Sequence, residues 1–261
     1  MDTVTPVKPA LPYIGGKRAL AKHISARIAQ IPHTSYVEPF VGMGGVFFRK
    51  TTKAKCEIIN DISKDVACFF RVIQRHYKPF LEQLRFQLSS REHFEQLKKA
   101  DPDTLTDLER SARFFYLQSL SFGGKVAGRT FGVSLGRPAR FDPEKIEKLL
   151  QNLHKRLSWV VIECLPYSEC IRRYDRPDTL FYLDPPYWGV EDYYGKNVFS
   201  AADFEALAKQ LRQVEGRFLF SINNTPEIRE IFAGFDFEEV SLKYTAGSGA
   251  AKEAQELIIS N

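Results

Sequence analysis

Thr179-Leu180-Phe181-Tyr182-Leu183-Asp184-Pro185-Pro186-Tyr187 joins an unbroken apolar run to an acid, two prolines and an aromatic residue. The run has the length and composition of a buried strand, and the breaker that follows closes it. Working outward, Trp159 to Cys164 and Arg217 to Ile222 have the same texture and read as further strands, the first of them buried. Between the last two, Ala201 to Gln213 has helical spacing, with Ser200 as N-cap and Asp203 in the first turn. Phe237 to Tyr244 and Glu256 to Ser260 read as a closing antiparallel pair. Toward the N-terminus a basic glycine turn, Tyr13-Ile14-Gly15-Gly16-Lys17, precedes an amphipathic helix near Arg18 to Gln30. A strand over Ser35 to Val41 then ends in a glycine cluster, and a strand over Cys56 to Asn60 ends at Asp61. Strands alternating with helices on both sides of an insertion predict an open α/β sheet, which binds ligands at the carboxyl ends of its strands.

The insertion, about residues 66 to 155, is mostly helical by spacing, in Val66 to Ile73, Phe80 to Leu88 and Ala112 to Leu120. Ser121 to Phe141 interrupts it with five glycines, four basic residues (Lys125, Arg129, Arg137, Arg140) and no acid. That mixture suits either a solvated basic loop or a hairpin touching a polyanion. The net charge of +5 is compatible with nucleic acid without requiring it. Four cysteines without C-x-x-C spacing argue against zinc and against a disulfide framework. No apolar run reaches membrane-spanning length and the N-terminus lacks a signal-peptide core, so a cytoplasmic enzyme is expected.

Asp184-Pro185-Pro186-Tyr187 carries a specific chemistry. The lone pair of an exocyclic base amine is delocalised into the ring, which makes it a poor nucleophile. A carboxylate (Asp184) and a backbone carbonyl (Pro185) that accept its two N–H bonds would localise the lone pair on nitrogen. Pro185 and Pro186 stiffen the backbone that presents the carbonyl, and Tyr187 offers a face for a flipped-out base, with Trp188 behind it. A proline-stiffened turn after a core strand would need the same residues. The second cluster is Val37-Glu38-Pro39-Phe40-Val41-Gly42-Met43-Gly44-Gly45, whose glycines admit a ligand close to the backbone. Asp61 lies about 20 residues beyond, where a carboxylate meets ribose hydroxyls in such sheets; capping the helix after Ile62 is its alternative duty.

Together these segments resemble the Dam-like, phage-type family of adenine-specific DNA N6-methyltransferases over nearly the whole chain. Leu11 to Lys17 resembles the family's N-terminal cofactor motif, with Tyr13 where tryptophan is usual. Glu38 to Gly45 resembles its methionine-binding loop, Asn60-Asp61 its ribose acid, Asp184 to Tyr187 its catalytic motif and Glu256 to Asn261 its final strand. The resemblance implies a Rossmann-like S-adenosylmethionine-dependent core with a mixed seven-stranded sheet, formed by residues 1–65 and 156–261. A mostly helical target-recognition lobe over 66–155 is inserted into it. It implies methyl transfer to the N6 amine of adenine in double-stranded DNA, by a monomer that needs no metal. Tyr13, Lys17, Glu38, Phe40, Gly42, Gly44, Asp61, Tyr167 and Asp184 would bind the cofactor. Asp184, Pro185, Pro186 and Tyr187 would carry the catalysis, and Lys125, Arg129, Arg137 and Arg140 would contact DNA. Where the family commonly places an acid before an aromatic residue to meet the cofactor's adenine, this chain has Pro166-Tyr167. Transfer to cytosine N4 or RNA adenine, and a non-catalytic DNA-binding module on the same fold, are the alternative readings.

Overall fold

A computed structural model describes residues 2–13, 15, 17, 19–133, 141–189, 199–244 and 252–261. In chain order the strands are β1 (Asp2–Thr3), β2 (Ser35–Glu38), β3 (Thr52–Lys53), β4 (Cys56–Asn60), β5 (Val160–Glu163), β6 (Thr179–Leu183), β7 (Arg217–Asn223), β8 (Asp236–Tyr244) and β9 (Lys252–Ser260). β1 and β3 form a small antiparallel ribbon; the other strands form one seven-stranded sheet in the order β5-β4-β2-β6-β7-β9-β8. The first five are parallel, and β9 enters antiparallel between β7 and β8. The chain winds from β2 out to β5, then returns across β2 to β6. The strand order therefore reverses between β2 and β6, which opens a crevice at their carboxyl ends.

Helices cover both faces. The helices α1 (Ala21–Gln30), α2 (Lys64–Arg75), α3 (Tyr77–Arg85), α4 (Arg91–Lys99), α5 (Asp107–Leu120) and α6 (Pro143–Leu157) lie on one side. The helices α7 (Tyr167–Tyr174), α8 (Ala201–Leu211) and α9 (Pro226–Ile231) lie on the other. Every residue of β6 is buried, as a central strand covered on both faces requires. Trp159 to Cys164 departs from the expected buried strand. β5 is the sheet edge, Trp159 is 83% exposed and Val161 41%, because an edge strand has one neighbour and incomplete cover.

Local signals account for the helix starts. Thr106 and Glu109 form a reciprocal capping box on α5, and Asp203 takes both the N–H and the hydroxyl of Ser200 ahead of α8. The inserted helices share one apolar cluster with the sheet. Phe69 on α2 packs against Phe80, Phe114 and Phe115, and the cluster continues to Tyr36, Ile59 and Tyr182. A buried ionic triad ties the last of these helices to the sheet. Arg156 on α6 forks onto Glu57 of β4 at 2.6 and 3.0 Å, and Lys50 Nζ reaches the same carboxylate at 2.9 Å. Removing one member would strand the others in a low-dielectric interior.

Candidate active site

The crevice between β2 and β6 deepens into a cavity of about 900 Å³. Its floor is the loop that leaves β2. Gly42 has φ +50°, and its N–H donates to Asp61 Oδ2 at 2.9 Å, while Ser63 N–H donates to Asp61 Oδ1 at 2.9 Å. A Cβ at Gly42 would lie 3.2 Å from the Tyr13 ring and one at Gly44 (φ +68°) 2.4 Å from Phe48, and at both positions the left-handed backbone strains any residue that carries a side chain. Asn60, buried at the end of β4, staples the neighbouring loops. Its Nδ2 donates to the carbonyls of Pro39 (2.8 Å) and Leu165 (3.0 Å), and its Oδ1 accepts Leu165 N–H at 2.8 Å. Burial pushes the Asp61 carboxyl up to about 6 against the pull of its two N–H donors. The helix that follows, α2, has Ser63 at its N-cap, so Asp61 acts two residues ahead of the cap through Ser63 N–H.

Asp184 stands at the other wall, at the carboxyl end of β6. Lys17 Nζ lies 2.5 Å from its Oδ1, donates to Tyr187 Oη at 2.7 Å, and sits 4.1 Å from the Tyr187 ring centre. Burial raises the Asp184 carboxyl to about 6, opposed by the Lys17 ammonium beside it. The loop beyond is pinned by Asn223 of β7, which accepts Trp188 N–H at 3.0 Å and donates to Trp188 O at 3.1 Å. The indole rests on Phe204, 5.3 Å between ring centres, on the α8 side of the sheet.

Tyr13, Lys17, Phe40 and Gly42 line the cavity together with Asp61, Asp184 and Pro186. Glu38 instead lies buried at the end of β2, where it accepts the Tyr36 hydroxyl at 2.6 Å. Burial lifts its carboxyl to about 8, which leaves it mostly protonated at neutral pH. Gly44 lies behind the loop against Phe48, and Tyr167 stacks on Phe40 at 5.3 Å while its hydroxyl donates to the Asp203 carbonyl. Pro185 is buried, and Tyr187 reaches the cavity through Lys17.

The basic glycine segment approaches the same cavity. Ser121 and Phe131 form an antiparallel bridge, Phe122 N–H bonds Thr130 O at 2.9 Å, and Gly123 and Val126 reach the cavity wall. Gln118 of α5 joins this hairpin to the N-terminal segment by donating to both Pro12 O and Gly124 O at 2.8 Å. Lys125 is exposed. Arg129 is half-buried: its Nε donates to Gln118 Oε1 at 3.2 Å and its guanidinium lies 5.6 Å from the Phe114 ring centre. Arg137 and Arg140 lie outside the described residues. Two positioning side chains were not singled out from sequence: Gln118 and Asn223.

The family description for the D12 class N6 adenine-specific DNA methyltransferases matches residues 13–246. Among characterised relatives, the chain is 24% identical to the type II methyltransferase M1.LlaDCHI of Lactococcus lactis subsp. cremoris, over 98% of this chain and 95% of the relative. It is 22% identical to the type II methyltransferase M.CviBI of Paramecium bursaria Chlorella virus NC1A, over 91% of each chain. It is 27% identical to the type II methyltransferase M.MjaIII of Methanocaldococcus jannaschii, over 91% of this chain and 92% of the relative.

Proposed function

Because this chain belongs to the D12 class N6 adenine-specific DNA methyltransferases, and so transfers a methyl group from S-adenosylmethionine to adenine N6 in DNA, we propose the following roles for its residues. Asp184 and the Pro185 carbonyl accept the two N–H bonds of the target amine, and Tyr187 stacks on the extruded base. Asp61 accepts the ribose hydroxyls of the cofactor through the lone pairs that Gly42 and Ser63 leave open. Tyr13, Phe40 and the Gly42 turn enclose the rest. The observation that carries this reading is a single cavity walled by both Asp61 and Asp184 and floored by the left-handed Gly42 turn.

The bound cofactor supplies an electrophilic sulfonium methyl. What the chain contributes is alignment and acceptor geometry, which bring most of the acceleration when the leaving group is already good. A good leaving group also removes the need for a metal. Lys17 keeps Asp184 ionised before the target arrives, and its ammonium yields the Oδ1 position when the amine enters. After transfer the N6 nitrogen carries a proton too many, and a carboxyl titrating near 6 can take it up and release it.

The target-recognition lobe of this reading is residues 66–155, with Lys125, Arg129, Arg137 and Arg140 as its DNA contacts and the Gly123 hairpin edge at the cavity mouth. Double-stranded DNA is the partner, a monomer the acting form, and the cytoplasm the location; among the described residues no helix is long and apolar enough to cross a membrane. Incubation with labelled cofactor and random-sequence duplex DNA, followed by mapping of the modified bases, tests the assignment. Label in N6-methyladenine supports it. Label in cytosine, or DNA binding without any incorporation, would overturn it.

A further inference from the structure

Gln118 stands where three parts of the site meet. It is buried near the end of α5, within a turn of the basic glycine hairpin. Both protons of its amide are used: Nε2 donates to the carbonyls of Pro12 and Gly124, each at 2.8 Å. The amide oxygen is used as well, accepting from Arg129 Nε at 3.2 Å. Two acceptors at one end and a donor at the other fix which way the amide faces. The three partners differ in duty. Pro12 belongs to residues 8–13, all of which line the cavity, and Gly124 follows Gly123 on another part of its rim. Arg129 is one of the expected DNA contacts.

The seam between the two segments is close. A Cβ on Gly124 would lie 3.1 Å from Tyr13 N and 3.2 Å from Pro12 C, so a side chain there would press on the backbone of the N-terminal segment. That segment is tied down at its other end, where Val4 N–H donates to Thr51 O at 2.9 Å and Val7 N–H to Phe48 O at 2.7 Å. The cavity-lining residues thus run from an anchor at Val7 to an anchor at Pro12.

We infer that Gln118 is a positioning residue that couples the cavity to the DNA-contact hairpin, so that a cofactor-like ligand and duplex DNA each tighten the binding of the other, an inference resting on the cofactor and DNA sites proposed above. A ligand that holds residues 8–13 fixes the Pro12 carbonyl, and the shared amide then holds Gly124 and Arg129 in the matching arrangement. A buried amide that loses one carbonyl is left with an unsatisfied donor, which favours movement of the two segments together over movement of either alone. Linkage makes the effect reciprocal: the factor that the ligand adds to DNA affinity is the factor that DNA adds to ligand affinity.

The test measures affinity of the full chain for random-sequence duplex DNA by fluorescence anisotropy, with and without saturating S-adenosylhomocysteine, and affinity for S-adenosylhomocysteine by calorimetry, with and without DNA. In the parent the product should tighten DNA binding by ~10-fold, and DNA should tighten product binding by the same factor. Gln118→Met keeps the volume and none of the three bonds, and its coupling ratio should fall to within about twofold of unity, whatever happens to either affinity alone. A residue that merely packs would weaken both affinities and leave the ratio intact. Gly124→Ala should lower the ratio as well, whereas Gly128→Ala, with a similar positive φ (+60°) and nothing near its Cβ, should keep it. Should Gln118→Met not fold, the two alanine variants decide. A ratio near unity in the parent, an undiminished ratio in Gln118→Met, or an equal loss in both alanine variants overturns the inference. A parent that binds no DNA, or transfers no methyl group to it, would sink the reading beneath instead.

Discussion

Asn223 contributes no atom to the reaction in this account, yet its loss should slow it. The amide pairs with both backbone groups of Trp188, at 3.0 and 3.1 Å, and thereby fixes the residue that follows Tyr187. Asn223→Ala removes both bonds and leaves a partly buried N–H and carbonyl to find water. Two such bonds are worth about 1 kcal/mol each, so ~2 kcal/mol of restraint on the Pro185–Trp188 loop disappears. If that restraint is used to hold the base against Tyr187 and the Pro185 carbonyl, the corresponding rate loss is ~30-fold in kcat. Asn223 is not on the cavity wall, so the cofactor should bind as before. Asn223→Asp keeps an acceptor for Trp188 N–H but replaces the donor with an anionic oxygen facing the Trp188 carbonyl, so it should restore at most part of the rate, leaving a loss of roughly 5-fold or more. Label incorporation under cofactor saturation gives kcat, and titration calorimetry gives cofactor affinity. A kcat within about twofold of the parent in Asn223→Ala would refute the reasoning.

Other perturbations bear on the rest of the site. Activity should fall as pH drops through about 6, where Asp184 takes a proton and can no longer accept from the amine; Lys17→Met removes the ammonium that opposes burial and should move that limb upward in a pH–rate profile. Asp61, also raised to about 6, favours the folded state in its protonated form. That contribution is complete below its ordinary value near 3.8 and is lost as pH rises through about 6, so Asp61→Asn should flatten the pH dependence of Tm in that window and weaken cofactor binding by ~10-fold or more in calorimetry. Gly44→Ala places a Cβ 2.4 Å from Phe48 at φ +68° and should cost about 1–3 kcal/mol in denaturant unfolding, with cofactor affinity falling alongside. Arg156→Met leaves Glu57 with Lys50 alone in the interior and should cost about 3–5 kcal/mol by the same measurement.

The parts of this fold that were legible in sequence are those where one local rule suffices. The apolar run Thr179 to Leu183 is the strand β6 residue for residue, because a parallel strand buried on both faces leaves a continuous apolar run; Cys56 to Asn60 is β4, marked by the short Ile58-Ile59 core and the polar Asn60-Asp61 break. The Ser200 start of α8 followed from capping chemistry. The strand expected over Ser35 to Val41 stops at Glu38, since Gly42 turns the backbone to meet Asp61. Trp159 misled for a different reason. Apolar composition cannot distinguish an edge strand from a central one, and strand order is a property of the whole sheet.

The cavity wall follows the same division. Asp61 and Asp184 could be singled out because each ends a strand at the crevice. The positions of Glu38 and Tyr167, one beneath the floor and the other behind Phe40, depend on side-chain direction within the packed sheet and loop. Asn223 and Gln118 were silent because their meaning lies in partners 35 or more residues away, or in the backbone of another segment. Pro166 stands at the N-cap of α7 and offers no side-chain acceptor there.

The most direct measurement is single-turnover methyl transfer by Asp184→Ala at saturating cofactor and DNA, read beside its affinity for S-adenosylhomocysteine. In this reading the carboxylate is the charged acceptor of the amine proton, whereas Asp61, Phe40 and the Gly42 turn carry the main hold on the cofactor. The account predicts a loss of at least ~1000-fold in the transfer rate with product affinity within a few-fold of the parent. Transfer at the parental rate in that variant would contradict it.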